Sequence, residues 1–217
     1  MKSDTQLQSD VMAELKWQPS VNAAHIGVAA KDNVITLTGQ VAHYTEKAAA
    51  EDTVKGVYGV KAVANDIKVE LFGSSYRSDQ DIAEAALSAI MWNSEIPNDR
   101  VTVIVKDGWV TLEGTLDWQY QKDAAQRCVH YLMGVKAVTN SIGIKPTAKW
   151  ADVKSEIEDA FRRSADLDAR RIGVATHGGT VTLSGSVSSF SERDEAVMAA
   201  WSAPGVTSVT NDLAVTL

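Results

Sequence analysis

Three stretches of this chain repeat one another at fixed spacing, and any fold must honour that before anything else. Val34–Gly39 reads VITLTG, Trp109–Gly114 reads WVTLEG and Thr180–Gly185 reads TVTLSG, at offsets of 75 and then 71 residues. A second block recurs at the same offsets: GVKAV at Gly59–Val63, GVKAV at Gly134–Val138 and GVTSV at Gly205–Val209. An Asn follows each, at Asn65, Asn140 and Asn211. Twenty residues separate Gly39 from Gly59, Gly114 from Gly134 and Gly185 from Gly205. The copies align without internal gaps over roughly 4–70, 79–145 and 150–216. We read them as three domains, 1–71, 79–146 and 147–217, with 72–78 as a linker. Phe72–Tyr76 has linker composition, and Pro146–Lys149 makes a tighter junction.

One unit can therefore be read three times. It opens with a helix whose apolar stripe is Leu7, Val11 and Leu15, matched by Ile82, Ala86, Ile90 and by Val153, Ile157, Phe161. Ser3 with Gln6 has the spacing of a capping box. A period-two segment follows: Ile26, Val28, Ala30; Val101, Val103, Val105; Ile172, Val174, Thr176. Alternation of this kind marks a strand with one buried face. Asp32-Asn33, Asp107-Gly108 and Gly178-Gly179 supply residues that accept a tight hairpin turn. The second strand is expected to end at the TLxG motif, hence at Gly39, Gly114 and Gly185. A second helix over roughly 44–57 and its equivalents would bury Ala50, Val54 and Val57; Ala125, Val129 and Leu132; Ala196, Ala200 and Ala203. Ser189 with Glu192 suggests a second capping box, and Gly59, Gly134 and Gly205 suggest helix C-caps. The last strand carries Val63, Ile67, Val69 and their counterparts. The fold class is α+β: three tandem α-β-β-α-β units, each a three-stranded mixed sheet packed on two helices. A unit of about 67 residues is near the lower limit for folding alone, so docking between copies is expected to matter.

The order α-β-β-α-β, the TLxG and the GVxxVxN resemble the BON domain, a bacterial module named for osmotically induced and nodulation proteins. The resemblance covers almost the whole chain as three tandem copies of the OsmY-like kind. It implies a non-catalytic α/β module, found in envelope-stress proteins and in several cases implicated in phospholipid contact. It also implies partners among anionic phospholipid surfaces or envelope and protein assemblies, leaves self-association open, and calls for no cofactor. One cytoplasmic relative in the family binds potassium, so a cation or small-ligand sensor is the alternative function.

Charge and composition narrow the classes further. The net charge is −7, from 21 basic and 28 acidic side chains, which argues against nucleic acid as a partner. One cysteine, Cys128, leaves no intramolecular disulfide. Absence of a long apolar run gives no integral membrane segment. The opening residues lack an apolar stretch of signal type, so the cytoplasm is the expected location, with the periplasm as alternative.

His25, His43, His130 and His177 fall at different positions within the repeats, so no metal site is expected. With no nucleophile elbow or phosphate loop, the chain reads as a non-enzyme. Two surface features remain. Arg162, Arg163, Arg170 and Arg171 form a cluster suited to lipid phosphate or another anion, although Asp168 and other nearby carboxylates make local pairing the plainer account. Trp118 and Tyr120 form a candidate aromatic docking site at the start of the second helix. Trp17 and Trp92 share one repeat position, where packing across the helix-to-strand corner is expected.

Overall fold

In the first two repeats the opening helix is fixed by side chains at its N-terminus. In the computed structural model, residues 2–71, 76–145, 153–164 and 167–216 are described. The Phe72–Tyr76 linker lies outside them except for its last residue, and the Pro146–Lys149 junction lies outside them altogether. Helix α1 (Asp4–Trp17) is capped by Ser3, whose Oγ accepts the Gln6 N–H at 3.2 Å. The Gln6 side chain donates to Asp10 at 2.8 Å instead of returning to the cap, so only half of the expected box forms. The charge-assisted bond to the Asp10 carboxylate is stronger than the neutral one a box would give, so the Gln6 side chain is drawn along the helix. A complete capping box occurs at α3 (Asp79–Met91), between Ser78 and Asp81. The buried stripes are as spaced in the sequence: Leu7, Val11, Leu15 on α1; Ile82, Ala86, Ile90 on α3; Val153, Ile157, Phe161 on α5 (Val153–Arg163).

The hairpins follow. Strands β1 (Ile26–Lys31) and β2 (Val34–Val41) pair antiparallel, as do β4 (Val101–Lys106) with β5 (Trp109–Leu116) and β8 (Ile172–His177) with β9 (Thr180–Val187). In the first two repeats the turn is fastened from the first helix. Asp4 accepts the Asp32 N–H at 3.2 Å, and Asp79 accepts those of Asp107 and Gly108, each at 2.8 Å. The TLxG motif lies inside its strand: β2, β5 and β9 each run two residues past the glycine. The glycine is required there because φ is +124° at Gly39, +137° at Gly114 and +112° at Gly185. A Cβ would strike the carbonyl oxygen of His25, Arg100 or Arg171, the residue just before the neighbouring strand.

The second helices are α2 (Tyr44–Lys55), α4 (Gln119–His130) and α6 (Phe190–Trp201). They stop before the expected glycines. The cap of α2 falls on Gly56, and Gly59 lies in the turn beyond it at φ +104°. At Gly134 a side chain would meet Arg77 and Ile82 on the approach to and body of α3, so this turn passes directly beneath the first helix. At Ser189 the hydroxyl accepts the Glu192 N–H at 3.1 Å, but the Glu192 carboxylate is used elsewhere, as described below.

Strands β3 (Ala62–Val69) and β10 (Ser208–Val215) pair parallel with β2 and β9, giving orders β1-β2-β3 and β8-β9-β10. The second repeat differs, because its last strand is interrupted into β6 (Ala137–Asn140) and β7 (Gly143–Ile144), both paired with β5. The repeated Asn ties strand to helix. Asn65 Nδ2 donates to Lys47 O and to Glu51, and Asn140 Nδ2 donates to Lys122 O and to Gln126. Its Oδ1 accepts an N–H two residues on, from Ile67, Ile142 or, for Asn211, Leu213. The core of each repeat lies between sheet and helices. In the third it gathers Ile157, Phe161, Val181, Leu183, Ala196 and Leu213, among others. The chain separates into two compact units, Met1–Gly114 with Lys122–Ile142 and Thr115–Gln121 with Gly143–Leu217.

Candidate binding surfaces

The arginine group sits at the end of α5 and the entry to β8. Arg162 Nη1 meets Asp159 Oδ1 at 2.6 Å, one turn back on the same helix. Arg170 Nε meets Asp168 Oδ1 at 3.0 Å. That hydrogen bond holds the Asp168 carboxyl below the usual carboxylate range and raises Arg170 in turn. Arg171 donates through Nη2 to Ser186 Oγ and Thr216 Oγ1, both at 2.9 Å. Arg163 is exposed. Two of the four cations are thus matched by a local carboxylate, and a third is spread across two hydroxyls.

At the start of α4, Trp118 is half-buried and stacks on Tyr120 with ring centroids 6.5 Å apart; Tyr120 remains 53% exposed. The Trp118 N–H is taken by the buried Gln121 side chain at 3.2 Å, which fixes this corner from below.

Trp17 and Trp92 do not pack across a corner. They are 82% and 85% exposed. Each lies two residues past the last buried stripe position, Leu15 or Ile90, and two helical steps turn a side chain roughly 200° away from the core. That signal was present in the spacing. Around Trp92, Met91 and Leu87 are also exposed, giving α3 an apolar end.

A ring contact between the first two repeats was not legible from the sequence. Tyr44, at the start of α2, meets His130, at the end of α4, with centroids 4.9 Å apart, and His130 also meets Tyr131 at 5.0 Å. Burial lowers the His130 pKa, against the pull of Asp52, and burial with the nearby Glu51 charge raises that of Tyr44. The partners occupy different positions in their repeats, so alignment of the copies cannot pair them.

Among the described residues, no group of three or more His, Cys, Asp and Glu side chains gathers to hold a metal ion. Cys128 is partly buried and accepts a hydrogen bond from Asn93 Nδ2 at 3.2 Å. No helix among the described residues is long and apolar enough to cross a membrane.

With three sheets of one topology and three copies of the same asparagine bond in place, comparison with known proteins is direct. The BON domain matches three times, over residues 3–70, 78–146 and 151–216. The chain belongs to the BON family. Its BON units are 29% identical over 146 residues to the Osmotically-inducible protein Y of Escherichia coli (strain K12), spanning 65% of this chain and 73% of that one. Among solved structures, CdsD, a structural protein of the type III secretion system of Chlamydia trachomatis, aligns over 96% of this chain and 91% of its own at 14% identity and a TM-score of 0.27. A structure of the CdsD C-terminal domain aligns over 100% of both chains at 15% identity and a TM-score of 0.26. Overlays of that quality carry no argument about this BON chain.

Proposed function

We propose that this chain is a non-enzymatic, multi-BON binding protein, a stress-associated accessory factor that contacts anionic phospholipid surfaces. The observation that carries the reading is the exposed end of α3, where Trp92 is 85% exposed, Met91 62% and Leu87 51%. An indole beside a thioether and a leucine, on a helix that is otherwise polar outward, suits the boundary between headgroups and acyl chains. Trp17 gives the first repeat the same feature at the same position. Two such ends on one chain raise the effective concentration of each at a surface. Kinship with the Osmotically-inducible protein Y supports the stress association. On this reading the units are 1–71, 79–146 and 147–217, joined through 72–78, and Arg163 adds an electrostatic contribution of about 1 kcal/mol, with less from Arg162, which Asp159 already pairs.

The test is flotation with vesicles containing phosphatidylglycerol, at low and high salt. Wild type should float, Trp92→Ala should lose most of the binding, and Arg162→Glu with Arg163→Glu should lose the salt-sensitive part. Absence of wild-type flotation at low salt overturns the reading. Fractionation of untagged cells then decides between the cytoplasm, expected from the sequence, and the periplasm.

A further inference from the structure

The outer face of the second sheet carries a feature that the membrane reading does not use. Trp109 opens the central strand β5, and its register partner on β4 is Lys106. On the other side it pairs with Ala137, the residue after Lys136. Lys106 is therefore the direct cross-strand neighbour of the indole, and Lys136, one residue before the Ala137 partner, lines the same cleft. Trp109 is 56% exposed but not loose, since its Nε1–H donates to Thr139 Oγ1 at 2.9 Å. The Lys136 stem is placed as well. Its backbone N–H donates to Gly108 O at 2.9 Å, and its Cγ and Cδ lie 3.3 Å from where a Cβ on Gly108 would stand. Ile104, 47% exposed, and Thr111 complete the floor of a cleft of about 470 Å³. Asp107 is the one acidic residue on its rim. Neither Lys106 nor Lys136 has an ion-pair partner among the described residues.

Two unpaired ammonium groups beside a fixed aromatic face, in a chain of net charge −7, select an anion rather than a cation. The single flat face selects a ring. The other repeats separate these parts. The first keeps both lysines, Lys31 and Lys61, but has Val34 in place of the indole; the third has His177, Thr180 and Thr207. We infer that the Trp109 cleft of the second repeat binds an anionic sugar, its ring laid on the indole and its carboxylate or phosphate held between Lys106 and Lys136. The site is independent of the vesicle contact proposed for Trp92.

The experiment is an NMR titration of the full chain, following the six indole N–H signals, with the Trp109 signal assigned by its loss in Trp109→Phe. Glucuronate and glucose 6-phosphate separate the two sources of the anion; glucose and inorganic phosphate supply ring and charge alone. One or both anionic sugars should shift the Trp109 signal saturably, and the two partial probes should bind at least about tenfold more weakly, since stacking and charge each contribute on that scale. With affinity read by titration calorimetry, which needs no Trp109 signal, Trp109→Ala and Lys106→Gln with Lys136→Gln should each reduce it about tenfold or more, while the other indole signals stay in place and show the fold intact. Equal affinity for inorganic phosphate, unchanged affinity in Trp109→Ala, or no shift of the Trp109 signal with either sugar overturns the assignment. Flotation of Trp109→Ala should match wild type, so this site and the membrane reading fail separately.

Discussion

Gln121 and Glu192 occupy the same place in repeats two and three and do the same work with different chemistry. Both are nearly buried, at 8% and 9% exposure. Gln121 Oε1 accepts the N–H groups of Asp117 and Trp118, each at 3.2 Å. Glu192 accepts the Ser188 N–H at 2.6 Å, the Ser188 hydroxyl at 2.7 Å and the Asp168 N–H at 3.1 Å. The counterpart in repeat one, Glu46, accepts the Asn22 N–H at 2.8 Å and no other among the described residues. Burial alone would raise the Glu192 pKa, but the Ser188 and Asp168 donors outweigh it and hold the carboxyl below its usual range. Set side by side, repeats two and three teach that one architectural bond can be made neutral or charged, and that the buried Glu192 version is shorter, richer in donors and open to titration.

The largest effect that sharpens this contrast comes from the core beneath it. Phe161 is 1% exposed in the third repeat, and Phe161→Ala should cost about 3–5 kcal/mol. Calorimetry should show the third-repeat transition falling while that of repeats one and two stays within a degree or so. A common shift of all transitions would show the repeats to unfold as one body. Next is Glu192→Ala, which strands three donors and should cost about 2–4 kcal/mol by denaturant titration, against about 1–2 for Gln121→Ala. Equal costs would break the contrast.

Acid should separate the two repeats as well. Glu192 has a folded pKa below its unfolded one, so its contribution is complete above about pH 4.5 and is lost as pH falls through the lowered folded value. Gln121 does not titrate. Thermal scans from pH 7 to pH 3 should therefore lower the third-repeat transition more than the second, and Glu192→Gln should remove most of the difference. A difference that persists in that variant would assign it to other carboxylates. The smallest effect is Ser78→Ala, which opens the complete capping box of α3 and should cost about 1 kcal/mol, confined to the first unit.

Much of this fold was legible because three imperfect copies constrain one another. A stripe seen at Leu7, Val11 and Leu15 is ambiguous alone, yet the matching buried residues in α3 and α5 leave one reading. The errors were local. TLxG looked like a strand end because glycine commonly breaks strands, whereas Gly39 is there to let a central strand pass close to the His25 carbonyl. Gly59 looked like a helix cap, but the helix had already stopped at Lys55. Sites were harder. The Trp109 cleft joins residues from a turn and three strands, and the Tyr44–His130 contact joins two repeats at unlike positions. Neither leaves a linear pattern. The outward aim of Trp17 and Trp92 did leave one, in the angle they make with the buried stripe.

The repeated asparagine has a consequence for how three near-copies share one chain. Each last strand is the outer member of its sheet. In repeat two the Ser141 N–H points inward, to Leu112 O at 2.8 Å, so the next amide, that of Ile142, faces away from the sheet. Asn140 Oδ1 takes that amide. Ile67 and Leu213 are served in the same way by Asn65 and Asn211. An outward amide is a docking point for a foreign strand, and the strand best matched to it is the homologous strand of a sister repeat. By occupying that donor locally, the asparagine discourages the copies from exchanging partners while they fold. It guards the tandem arrangement against its own sequence similarity.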